Sequence, residues 1–142
     1  MSDHLFRNSN TSGLYHLPRH RLAAVGNAAD REHRRFLLVE ISPPADKTRV
    51  LTQIGNALAF PDWYGANFDA LFDCLTDAGW QAAKGHVIVI NGLGELRNAN
   101  PEDFSILIEV LRDAADHRRQ AGAPFWILID TPARGVPALP EA

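Results

Sequence analysis

The sequence predicts an α/β domain in which a three-stranded parallel sheet has helices packed around it, preceded by an N-terminal extension. Three near-continuous apolar runs, Phe36–Ile41, His86–Ile90 and Pro124–Ile129, have the length and composition of buried strands. Segments of helical periodicity separate them, and parallel strands require crossovers of that kind. The chain has 142 residues with 46% hydrophobic content, enough for one well-buried domain and too little for two comfortable ones.

Each element has a local reason. Residues 1–12 are polar and are expected to be a flexible tail. Residues 13–35 form the extension: Leu14–Leu17 reads as a short edge strand stopped by Pro18. Leu22, Val25 and Ala29 then mark a weak amphipathic helix interrupted by Gly26. Ser42-Pro43-Pro44 ends the first buried strand. Asp46 can cap the next helix, whose buried stripe is Val50, Leu51, Ile54, Ala57 and Leu58. Pro61 closes that segment, and a loop containing Gly65 leads to a helix from Asn67 onward. Phe68, Leu71, Phe72 and Leu75 recur there at the spacing that buries one stripe. The stretch between Asn91 and Pro101, rich in glycine and asparagine, is expected to be mostly loop. Pro101-Glu102-Asp103 opens a long helix with its acids at the favourable end and an apolar stripe of Phe104, Leu107, Ile108, Leu111 and Ala115, ended by Gly122. Residues 131–142 are proline-rich and are expected to be a second flexible tail, leaving 36–130 as the main domain.

Composition narrows the function. The net charge of −3 is unevenly spread: residues 1–35 hold six bases against three acids, and the rest is strongly acidic. An acidic main domain argues against nucleic-acid binding and for a basic protein partner. The basic N-terminal segment either touches a second partner or simply flanks the fold. A single cysteine, Cys74, forms no internal disulfide, and no Cys/His spacing suits zinc. With no signal-like apolar segment and no apolar run long enough to span a membrane, a cytoplasmic protein is expected. No nucleophile, P-loop, dinucleotide-binding or metalloprotease motif is present, so neither an enzyme nor a cofactor or metal is expected.

The segment Pro61–Asp77, PDWYGANFDALFDCLTD, is the most informative. Nothing from Val50 to Ala83 carries a positive side chain. Asp69, Asp73 and Asp77 stack four residues apart on a face different from the apolar stripe, where like charges destabilise an isolated helix. Solvated helix faces usually mix charge signs; this one does not, and Trp63 and Phe72 border it. A destabilising run with no partner in its own helix points to a partner outside the chain. Cys74 faces away from the acids and reads as core. Tyr64 is divided between core and contact.

The run FPDWYGANFDALFDCLT closely resembles the central segment of the barstar family, intracellular inhibitors of a secreted bacterial ribonuclease. A Pro-aromatic-Tyr-Gly-x-Asn loop leads into an Asp-Ala-Leu-x-Asp-Cys-Leu helix there, as Pro61–Leu75 does here, and the likeness extends more weakly over residues 36–130. The resemblance implies a monomeric immunity protein that binds a basic microbial ribonuclease 1:1 and blocks its active site. It implies that Asp69 and Asp73 enter that site, with the Asp73 carboxylate replacing a substrate phosphate among catalytic Arg and His side chains. Trp63 would cover the active-site histidine, and Asn67 and Phe68 would make contacts from the loop end and helix start. Phe72 stands where the family often has Trp, Thr76 and Trp80 fall in the matching rim, and Asp113 matches a second acid that pairs with an arginine of the enzyme. Residues 1–35, the proline-rich tail and a longer Asp77–Lys84 connection depart from the family pattern. An acidic-groove hydrolase on a similar fold and a non-inhibitory acidic interaction module stay open beside this reading.

Overall fold

A computed structural model describes residues 5–80 and 83–140. The strands are β1 (Gly13–His16), β2 (Arg35–Glu40), β3 (His86–Asn91) and β4 (Phe125–Ile129). The helices are α1 (Leu22–Arg31), α2 (Lys47–Ala57), α3 (Phe68–Thr76), α4 (Gly94–Ala99) and α5 (Pro101–Gln120). The described residues form one four-stranded sheet in the order β1-β4-β3-β2, with every pairing parallel. This corrects the expected three strands. The short apolar run of the extension pairs with β4 in the register Leu14↔Ile127, closing an edge whose backbone groups would otherwise lack partners. The six-residue α4 stands where a loop is expected; with Leu96 its one buried side chain, it shows no periodicity.

Strand alternation divides the core into two layers. Ile88, Ile90, Ile127 and Ile129 pack on one face, against the buried stripes of α2, α3 and α5. Val87, Val89, Trp126 and Leu128 point to the other, where Val25, Ala28 and Ala29 of α1 cover them with Phe6, Leu17 and Leu139. Both faces of β3 are therefore buried, which is why its interior, Val87 to Ile90, is apolar throughout.

The segments expected to lie off the fold take part in it. Phe6 meets Trp126 edge-on at 5.1 Å, and Leu139 is buried with its N–H donated to the His16 carbonyl. The outermost residues, 1–4 and 141–142, lie outside the described ones. Most of the N-terminal basic charge is also used internally. Arg19 pairs with Asp130 at 2.9 Å, and Arg21 donates to the carbonyls of Leu139 and Pro140. Arg34 donates to those of Phe6, Arg7 and Lys84, and Arg7 faces Glu32. These arginines tie the extension to the sheet. No described helix is long and apolar enough to cross a membrane.

Candidate functional site

The loop before α3 is built on α2. Phe60 packs edge-on against both Tyr64 and Trp80, the Tyr64 hydroxyl donates to the Leu51 carbonyl at 2.8 Å, and Trp80 Nε1 donates to the Leu58 carbonyl at 2.8 Å. Gly55 makes this fit possible, because a Cβ there would stand 2.5 Å from the Tyr64 ring. Tyr64 thus acts as an anchor, and burial pushes its hydroxyl pKa upward. Trp80 is 7% exposed and stacks on His86, so its ring supports the loop from below and is not available as rim contact. With Tyr64 turned inward, its neighbour Trp63 is left 57% exposed.

Asn67 caps α3 by accepting the Ala70 N–H at 2.7 Å. Ala70, Leu71, Cys74 and Leu75 are the residues α3 buries. Phe68 and Phe72, expected on the buried stripe, flank it half-buried, and Asp69 and Asp73 are exposed. Trp63, Asn67, Phe68, Asp69 and Asp73 line one open groove. Among the described residues neither Asp69 nor Asp73 makes an ion pair. Phe72 lies beside this group and meets the His117 ring of α5 edge-on at 5.9 Å. Asp113 is exposed one turn before His117, on the same side of α5. The Thr76 hydroxyl is turned back to donate to the Phe72 carbonyl at 2.8 Å.

The groove also contains two residues that sequence reasoning missed, Lys47 from the start of α2 and Ile106 from α5. Lys47 lies outside the base-free stretch in sequence and reaches the groove only through packing. The signal for Ile106 was present: it falls off the apolar stripe of α5, and it is 43% exposed.

The unfavourable end of α3 does have an internal partner. Arg118 of α5 donates from Nε to the Leu75 carbonyl at 2.9 Å and from a terminal nitrogen to the Asp77 carbonyl at 3.0 Å, placing a cation at the negative end of the helix. Burial lowers the Arg118 pKa and the nearby Asp77 charge opposes that shift. Arg118 continues the stripe of Leu111 and Ala115 at helical spacing, and an arginine on an apolar stripe needs such a partner. The expectation that the acidic helix lacks a partner in the chain therefore fails at Asp77, whose charge lies close to Arg118.

Two measurements follow. Asp73→Asn is expected to leave the denaturant midpoint unchanged or to raise stability by roughly a few tenths of a kcal/mol, since it removes an i, i+4 repulsion. A large loss would show that Asp73 is structural. Cys74 is fully buried, and its thiol pKa is pushed up to about 11 by burial and by the charges of Asp73 and Asp77. The thiol is therefore expected to be silent to a thiol reagent at pH 8 until the chain is denatured. The raised pKa also fixes a sign. Its contribution to stability is intact below the unfolded-state thiol pKa near 9.0 and is lost as the pH rises toward about 11.

Among the described residues no group of three His, Cys, Asp or Glu side chains could hold a metal ion. What the groove offers is two carboxylates, an exposed indole and an apolar side chain, the makings of a protein contact. A model of the family described as Barstar (barnase inhibitor) matches residues 34–130. No curated protein matches the chain.

Proposed function

Since the chain belongs to the barstar family, we propose that it inhibits a basic barnase-type ribonuclease by seating the loop from Pro61 and helix α3 in the enzyme's active site. One observation carries this most directly. Of the three large apolar side chains exposed among the described residues, two, Trp63 and Ile106, line the same groove as Asp69 and Asp73. Exposed apolar surface beside carboxylates without ion pairs is suited to a partner that is both cationic and protein-like. A ribonuclease binds a polyanion, so its cleft is complementary in sign to α3, and that complementarity speeds encounter as well as holding the complex. Occupying the cleft blocks RNA without any chemistry by the inhibitor.

In this reading Trp63, Asn67, Phe68, Asp69 and Asp73 form the centre of the contact. Phe72, Thr76 and Asp113 flank it on the side of α5, and Trp80 holds the loop in place from within. The hydrolase alternative is less well served. Asp69 and Asp73 project from one helix, and the side chains that the other helices contribute to the groove are a lysine and an isoleucine where a second carboxyl would be needed.

The test is titration of the purified chain into a barnase-type ribonuclease while RNA cleavage is followed. Turnover should fall to zero at one equivalent. Unchanged turnover at a large excess would overturn the proposal.

A further inference from the structure

Resting on the reading of this groove as a ribonuclease-binding surface, we infer that Lys47 and Ile106 are its specificity determinants: they select a ribonuclease that presents an acidic and an apolar side chain beside its cationic cleft. Lys47 is the first residue of α2, the helix end at which a cation is disfavoured. Its ammonium stands 5.0 Å from the centre of the Phe68 ring, at the start of α3, so it is directed over the docking surface by an aromatic face. It shares the groove with Asp69 and Asp73, yet among the described residues it makes no ion pair. The residue therefore opposes its own helix and weakens the negative potential that attracts a basic enzyme. A charge of that kind discriminates: it repels a rim that is basic opposite α2 and gains a contact with one that is acidic there.

Ile106 supplies the apolar half. Its neighbours Leu107 and Ile108 are buried, whereas Ile106 is exposed beside Trp63 in the same groove. An apolar side chain on the enzyme that reaches between them would be desolvated next to the charged centre. Contacts of that kind act chiefly on dissociation.

The experiment measures Kd and rate constants for wild type, Lys47→Glu, Ile106→Ser and Asp73→Ala against a panel of purified barnase-type ribonucleases of differing rim charge. Against the tightest-binding member, Lys47→Glu and Ile106→Ser are each expected to weaken Kd about tenfold. The Ile106→Ser loss should lie mainly in the dissociation rate. Lys47→Glu should keep or raise the thermal midpoint, because an acid suits that helix position. A groove that needed only negative charge would respond in the opposite way. Lys47→Glu binding that member as well as or better than wild type would therefore overturn the inference for Lys47, and full affinity in Ile106→Ser would overturn it for Ile106. Failure of the underlying reading looks different: either no member binds the wild-type chain, or Asp73→Ala leaves Kd unchanged.

Discussion

Asp73→Ala is expected to weaken binding to a barnase-type ribonuclease by about 2 to 8 kcal/mol, the range of interface hot spots. That scale is inherited, since the family's own enzyme–inhibitor complex is among the systems from which it was drawn. The reasons for choosing Asp73 are specific to this chain. Its carboxylate is exposed, makes no ion pair among the described residues, and lies in the groove that also exposes Trp63 and Ile106. Free, it is hydrated; bound, it would sit among the enzyme's cations in a desolvated cleft. Truncation would leave those cations buried without a partner, so most of the loss should appear in the dissociation rate. Asp62, exposed in the preceding loop, should instead change the association rate and its dependence on salt. Calorimetry or stopped-flow binding measures both, with a denaturation curve showing that the variants are folded. An Asp73→Ala Kd within twofold of wild type would remove Asp73 from the centre of the interface.

Deleting residues 1–34 is expected to abolish the native fold, although the family match begins only at residue 34. The deletion strips β1 from the sheet edge and removes Phe6, Leu17, Val25, Ala28 and Ala29 from the layer over Val87, Val89, Trp126 and Leu128. Returning four such side chains to water costs roughly 6 to 12 kcal/mol at the usual value per residue. That is comparable to the whole stability of a typical domain, about 5 to 15 kcal/mol. The truncated chain should show weak near-ultraviolet circular dichroism and bind a hydrophobic dye. A cooperative unfolding transition close to that of the full chain would contradict this. The same argument governs how the basic N-terminal segment is probed for binding: a truncation that loses ribonuclease affinity would report lost folding, so substitutions at exposed positions such as Arg31 are the appropriate variants.

Much of the molecule is legible in its residues. The cap at Asp46, the proline opening α5 and the apolar stripe of α5 appear where the sequence placed them, as do β2, β3 and β4, although β2, expected to be buried, lies at the sheet edge with only Val39 buried, and Ala57, expected on the α2 stripe, is exposed. The loop-and-helix motif of the candidate site was equally readable, since its residues are contiguous. These features depend on interactions within a few residues of chain, where hydrogen-bond geometry and side-chain period leave few choices.

Tertiary structure alone decided the rest. It determined that the extension's strand joins the sheet beside β4, that a layer assembled from both ends of the chain covers the second face, and that Trp80 lies under the loop rather than on its rim. It also brought Arg118 to the end of α3 and Lys47 and Ile106 into the groove. Each of these is a contact between residues far apart in sequence, set by which edge lacks a hydrogen-bonding partner, which apolar face lacks cover and which charge two packed helices carry together. Local sequence pattern holds no record of such pairings, because a strand or a helix face reads the same whatever comes to lie against it.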